Sequence, residues 1–251
     1  MANVIEDYYI NKLTNKVNDL MFKVESAMLY LTNTDGYIKY TTPGTYTFRI
    51  PYGLESIYIS GIGGGGAGGT GGDTREPPFI GAKNYAAGGG GGGMGTAVKD
   101  QQIEVTPGEI LTITVGEGGA IDPLMGAQPG GDTIISRGST PILVIDKGTA
   151  GANGGNGGGT SVAIGGVGGT IGGSAGGNAT SSSAGAGGNG AKTNSTASTY
   201  YFAGYGSGGD GGNGATYVTN QYTPGDPGTA GADGAFILCF KPGVRFADVT
   251  W

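Results

Sequence analysis

Seven apolar residues near the start of the chain, Ile10, Leu13, Val17, Leu20, Val24, Ala27 and Leu31, stand 3, 4, 3, 4, 3 and 4 positions apart. That spacing is a heptad seam along one side of an α-helix, with Ile10, Val17, Val24 and Leu31 at a and Leu13, Leu20 and Ala27 at d. Met21 and Met28 at e widen the stripe, and Lys12, Asn15, Lys16, Asn18, Asp19, Lys23 and Glu25 fill outer positions. Residues 1–32 contain neither Gly nor Pro. A helix of about three heptads is marginal alone in water, so the seam needs a surface to cover it. Two candidates compete: the chain's own body, and identical helices in a parallel coiled coil. β-Branched residues at a with Leu at d favour two strands in simple coiled coils. The wide a/d/e stripe shifts the expectation to a homotrimer.

Beyond residue 33 the apolar period changes to two. Thr45–Ile50 alternates through Tyr46, Phe48 and Ile50, bracketed by Pro43-Gly44 and Pro51. Ser56–Ile62 alternates again, and Ile110–Val115 does so after the turn Thr106-Pro-Gly-Glu109. Residues 99–105, 133–136 and 141–146 read as further strands, and 235–241 as the last, with Phe236, Leu238 and Phe240 opposite Ile237 and Cys239. Short strands cut by polar turns predict a small antiparallel sandwich or roll. Glycine runs at 63–66 and 88–93 enclose an insert, Asp73–Ala87, that carries Arg75, Phe79 and Tyr85.

From Gly148 to Ala235 there are 30 Gly and only four charged residues, Lys192, Asp210, Asp226 and Asp233. An ordinary side-chain core cannot be assembled from that material. Gly148, Gly151, Gly154 and Gly157 stand three apart, as do Gly208, Gly211 and Gly214, and Gly225, Gly228, Gly231 and Gly234. Period three is that of an extended left-handed helix of the polyproline II type, which has no internal hydrogen bonds. Glycines lined up on one side allow neighbouring backbones to approach, N–H groups of one helix bonding to carbonyls of the next. The segment is therefore predicted to be a bundle of polyglycine II helices. A flexible linker is the usual reading of Gly/Ser-rich sequence, but a structureless loop of this length inside a domain is improbable. The expected fold class is mainly β, in three parts: a coiled-coil stem over 1–32, a β-rich, sandwich-like domain with glycine runs over 33–147, and a polyglycine II-type bundle over 148–251 closed by the C-terminal strand.

Composition narrows function mostly by exclusion. The chain has 59 Gly, 13 Lys+Arg, 19 Asp+Glu, no His and one Cys. An acidic balance argues against nucleic acid, which needs clustered Lys/Arg. Cys239 alone cannot form an intramolecular disulfide. No run of 18 apolar residues occurs, and Met1–Lys12 lacks a basic region followed by an apolar run, so no export signal is expected. Without His there is no imidazole base and no His-ligated zinc. The phosphate-loop lookalike ending Gly190-Ala-Lys192-Thr193 breaks the required order, and Gly208–Gly214 lacks the repeated Asp of calcium-binding nonapeptides. No catalytic residue, metal or cofactor is expected, and the chain is not read as an enzyme.

Thr199–Tyr205 holds four aromatics, Tyr200, Tyr201, Phe202 and Tyr205, with Tyr217 and Tyr222 nearby. Rings give large contact area at low entropy cost, so these residues are candidates for contact with a partner. Packing over the bundle is the competing role. Arg75, Phe79 and Tyr85 of the insert form a second candidate group.

Taken in order, Pro43-Gly-Thr-Tyr-Thr-Phe-Arg-Ile-Pro51, Ile57-Tyr-Ile-Ser-Gly-Ile-Gly-Gly-Gly-Gly66, Ile103-Glu-Val-Thr-Pro-Gly-Glu-Ile-Leu-Thr-Ile-Thr-Val-Gly-Glu-Gly-Gly119 and Gly234-Ala-Phe-Ile-Leu-Cys-Phe240 resemble the glycine-rich modules of bacteriophage tail-fibre and receptor-binding proteins. The resemblance spans residues 43–241. It implies polyglycine II bundles whose tip loops bind a host surface glycan or outer-membrane protein, and a stem joined to another virion fibre or baseplate protein. It also implies a place on the virion after synthesis in the host cytoplasm. Individual receptor-binding residues do not carry over, because tip loops vary in such modules. A purely structural virion fibre or spacer, and an ice-binding glycine-helix protein, are the alternatives.

Overall fold

Helix α1 (Ala2–Thr32) forms where no Gly or Pro interrupts the heptads. The computed structural model describes residues 2–33, 35–74, 85–157, 162–180, 182–192, 202, 204–216 and 221–248. All of residues 6–21 are exposed, so the first half of α1 projects from the body. Contact with the body begins at Phe22. The Phe22 ring lies 4.2 Å from the Arg49 guanidinium and edge-on to Tyr52. Ser26 Oγ accepts the Tyr52 N–H at 2.8 Å, and Arg49 Nη1 donates to Glu25 Oε2 at 3.2 Å. Leu29 and Tyr30 pack into the main core, Tyr30 with its ring 5.8 Å from that of Phe240. At 100° per residue, Phe22, Ser26 and Leu29 lie about 130–170° around the helix from the heptad seam, and Tyr30 about 90–110° from it, on its flank. Tyr30→Ala should therefore lower stability by about 2 kcal/mol, and the melting temperature by roughly 4–8 °C in a thermal scan, without touching the seam.

Ten short strands follow: β1 (Tyr37–Tyr40), β2 (Gly44–Arg49), β3 (Ser56–Ile62), β4 (Ala97–Glu104), β5 (Ile110–Val115), β6 (Ile121–Asp122), β7 (Gly126–Ala127), β8 (Thr133–Arg137), β9 (Thr140–Ile145) and β10 (Ala235–Cys239). One antiparallel sheet has the order β1-β10-β3-β4 and a second β2-β5-β8-β9, while β6 and β7 form a small hairpin. The sheets face each other across Ile57, Ile59, Phe236 and Leu238 on one side and Phe48, Leu111, Ile113 and Ile135 on the other. The first sheet is covered on its other face too, where Ile62, Ile237 and Cys239 meet Phe202 and Phe246. Both-face burial explains why β10 is buried at all five positions, where a strand with one wet face would alternate. The molecule is thus mainly β, with one N-terminal helix and antiparallel sheets.

Every strand end that does not turn outward continues into glycine-rich backbone. Eight such segments are described, here g1 (63–73), g2 (86–95), g3 (148–157), g4 (163–170), g5 (173–180), g6 (185–192), g7 (206–215) and g8 (225–234). Their N–H groups bond to neighbouring segments rather than along the chain. Within g2 the targets repeat every three residues. Gly88 and Gly91 donate to Gly177 and Ser174 of g5, Gly89 and Gly92 to Gly212 and Gly209 of g7, and Gly90 and Gly93 to Ala152 and Thr149 of g3. The carbonyls of g2 accept from g1, g4 and g6, as in Gly69 N to Gly90 O, Gly166 N to Gly88 O and Gly188 N to Gly89 O. Segment g2 therefore has six neighbours. So does g1, which bonds to g2, g3, g7, g8 and the stretches 116–119 and 128–131. The segments alternate in direction along the chain, g2 running against g1, g3, g5 and g7 and with g4 and g6.

The period-three glycines lie where these neighbours touch. A Cβ on Gly148, Gly151 or Gly154 would sit 2.0–2.1 Å from a carbonyl oxygen of g2, and one on Gly225, Gly228 or Gly231 2.0–2.3 Å from an oxygen of g1. Where an N–H faces outward and no segment remains to receive it, a side chain does so. Asn153 and Asn156 take the N–H groups of Thr70 and Asp73, Asn178 that of Gly165, Asn213 that of Gly187, and Asp210 that of Gly190. Segments before and after residue 147 are interleaved in this one bundle, and β10 returns the chain to the first sheet between β1 and β3.

Candidate functional site

The alternation of g1 to g8 sorts the connecting loops onto two ends of the bundle. One end adjoins the sheets: β3 runs into g1, g8 runs into β10, and the tight turn at Ile171-Gly172, both at positive φ, joins g4 to g5. Phe202 and Tyr205, between g6 and g7, lie at this same end. Phe202 is fully buried, its ring 4.9 Å from that of Phe246, and Tyr205 is half-buried against the same cluster. Phe202 is thus a packing residue, with no face left for a partner. Tyr200, Tyr201 and Tyr217, with Arg75 and Phe79, lie outside the described residues.

At the other end lie the described residues that flank the g1–g2 insert and the g3–g4, g5–g6 and g7–g8 connections. Here the flanks of the insert meet the flanks of the g7–g8 connection, which are distant in sequence. Thr74 bridges to Thr223 and Tyr85 to Thr216. Tyr222, 58% exposed, donates from Oη to Asp73 Oδ2 at 2.7 Å, and Gly225 N donates to Asp73 Oδ1 at 3.1 Å. Asp73 N in turn donates to Asn156, so Asp73 ties g1, g3 and g8 together under the loops. Thr74 is fully buried there, and its hydroxyl has no hydrogen-bond partner among the described residues. Thr180 Oγ1 accepts the N–H groups of Ser182 and Ser183, which closes the g5–g6 loop tightly. Tyr85 is half-buried against Ala87, Ala163 and Ala179.

A family model described as a glycine-rich domain matches residues 41–245. The chain belongs to this glycine-rich domain family. No curated protein matches it. The match leaves α1 and β1 outside.

The seam residues Ile10, Leu13, Val17, Leu20, Val24, Ala27 and Leu31 all lie on the exposed side of α1. Sequence reading missed other exposed apolar groups of the glycine-rich domain. Leu124 and Met125, at the tip of the β6–β7 hairpin, are 96% and 73% exposed. Their backbone N–H groups are held by Asp122 Oδ1, which keeps the Asp122 carboxyl below its usual range. Asp122-Pro123 was the available turn signal. Ile164 and Val167 form an outward row along g4. Asp210 belongs to the calcium-like stretch of g7, but its carboxylate receives Gly190 N–H and Lys192 Nζ. The Gly190 hydrogen bond, opposed by partial burial and aided by Lys192, holds its pKa down.

Proposed function

We propose that the chain is a non-enzymatic bacteriophage fibre protein, an adhesin that binds the host cell surface, with g1 to g8 folded as polyglycine II helices. The polarity of the molecule carries this reading. Thr74 and Tyr85, which flank the insert, and Tyr222 lie at one end of the bundle, and α1 meets the strand ends that point the other way. At ~3.1–3.4 Å per extended residue along β3 and g1, these ends lie on the order of 50 Å apart. An adhesin needs variable contact loops on a rigid support. A support whose cohesion comes from the main chain leaves the loop side chains free for contact. Polyglycine II geometry is supported by the three-residue repeat of hydrogen-bond targets and by the sign of φ. Apart from Gly206 at the start of g7, no described glycine of the eight segments has positive φ.

On this reading Tyr222, Tyr217 and Tyr85 contact a surface glycan or outer-membrane protein, together with Arg75 and Phe79 of the insert. The protein is made in the host cytoplasm, is carried on the virion, and is fixed there through α1 to a fibre or baseplate protein. Two measurements test it. Gold-labelled antibody against the chain should decorate an external appendage of intact virions in electron micrographs. Fluorescent protein should bind host cells, and a variant with residues 75–84 and 217–220 exchanged for short Gly-Ser loops should lose that binding at an unchanged melting temperature. Decoration without any effect of the loop exchange would convert the reading to a structural spacer. Undecorated virions would end it.

A further inference from the structure

We propose that the exposed stripe of α1 is covered by two further copies of this chain, parallel and in register, so that three bodies hang on the outside of one three-stranded stem. The inference rests on the two sides of α1 and is independent of the adhesin reading. Along the projecting half of the helix the apolar residues concentrate on the seam side, with Tyr8 an exposed aromatic on the other. Asn11, Lys12, Asn15 and Asp19 occupy the opposite side, the side that further along carries Phe22, Ser26 and Leu29. Between Tyr8 and Phe22 the body side thus carries no apolar residue, and apolar residues return on it where the body begins. The seam obeys no such boundary. It runs from Ile10 to Leu31 without a break, and Ile10, Leu13, Val17, Leu20, Val24 and Leu31 are 47–76% exposed.

Helix and body are mutually compatible with such a stem. In the heptad register set by the seam, Phe22 and Leu29 fall at f and Ser26 at c, the positions a coiled coil turns away from its axis, while Tyr30 falls at g, beside the seam in the last turn. Docking of the body through f, c and, in the last turn, g leaves a, d and e free on the axis side. Met21 and Met28 at e, 55% and 57% exposed, make that side broader than a two-stranded a/d seam. A closed three-fold arrangement of identical chains requires parallel helices. The occupant is therefore another copy of the same helix rather than a flat surface, because an unbroken 3-4 spacing matches only a partner with the same repeat.

The test uses the full chain. Light-scattering mass should correspond to three chains of 24.7 kDa each. An Ile10→Cys variant should form disulfide-linked pairs on mild oxidation at micromolar protein, because parallel register brings like positions together. The parent, whose Cys239 is buried, should not. Val17→Asp with Leu20→Asp should reduce the mass to one chain while the body keeps its circular dichroism. A one-chain mass for the parent, or no cross-link at Ile10→Cys, overturns the proposal. A two-chain mass overturns its three-fold form. A three-chain mass in a protein that binds no cell leaves this inference standing and removes the adhesin reading alone.

Discussion

Gly90→Ala should leave no folded glycine bundle. A Cβ at residue 90 would sit 2.1 Å from the Val167 carbonyl oxygen and 2.5 Å from its carbon. Both are backbone atoms, so no rotamer change relieves the overlap. Segment g2 has nowhere to retreat, since Gly90 N is bonded to Ala152 O and the remaining sides are filled by g1, g5, g6 and g7. Separating g2 from g4 breaks several buried main-chain hydrogen bonds at once, each costing about 1–3 kcal/mol when left unmade. The sum is comparable with the total stability of a domain, about 5–15 kcal/mol. The measurement is soluble yield and a thermal melt. Gly138→Ala is the control: Gly138 has φ of 59° with nothing within 4 Å of a Cβ, and a left-handed residue costs roughly 1–2 kcal/mol. A Gly90→Ala protein melting within a few degrees of the parent would contradict the packing described for g2.

Leu238→Asp should be equally disruptive at neutral pH. Leu238 is fully buried and lies between Ile38 and Ile59 in adjacent strands. The described core residues around it are aliphatic or aromatic, and an unpaired buried charge costs several kcal/mol. The group would escape by staying protonated. Its folded pKa would rise above the unfolded value of about 3.9, so the penalty is absent below that value and grows as pH rises through it. The variant should therefore be unfolded at pH 7 by circular dichroism and regain structure in acid. Val144→Asp, on the outer strand β9 and 44% exposed, should melt within a few degrees of the parent. Near-parental melting of Leu238→Asp at pH 7 would mean that β10 does not sit at the centre of the first sheet.

The seam of α1 and the alternating strands were legible because each is a local period. What was not legible follows from non-local packing. The body-facing side of α1 comprises four residues over little more than two turns, Phe22, Ser26, Leu29 and Tyr30, one of them polar. Only contact with Tyr52 and Phe240 gives them a common role. Both-face burial of β10 could be read from its unbroken apolar run, whereas its place between β1 and β3 could not. The glycine runs at 63–66 and 88–93 read as punctuation of a β-rich part, yet they form the centre of the bundle. The distinction was available in the spacing. A period-three line such as Gly225–Gly234 has one crowded side, and an unbroken run such as Gly88–Gly93 is crowded on every side. Asn153 and Asn156 repeat the same period on the outside, where they replace an absent neighbour. At the loop end, the meeting of Asp73 with Tyr222 depends on a separation of 149 residues and left no local trace.

The direction of the hydrogen bonds has a mechanical consequence. A pull applied between α1 and the loop end runs along g1 to g8, while the bonds that join the segments run across them. Such a load is borne in shear: one segment slides past its neighbours only if a whole row of bonds ruptures together, and g1 and g2 each present six rows. The glycine-rich part, lacking a conventional core, is by this geometry the stiffest tether in the molecule, and extension under tension should begin elsewhere, at the contact between Phe22 and Tyr30 of α1 and the sheets.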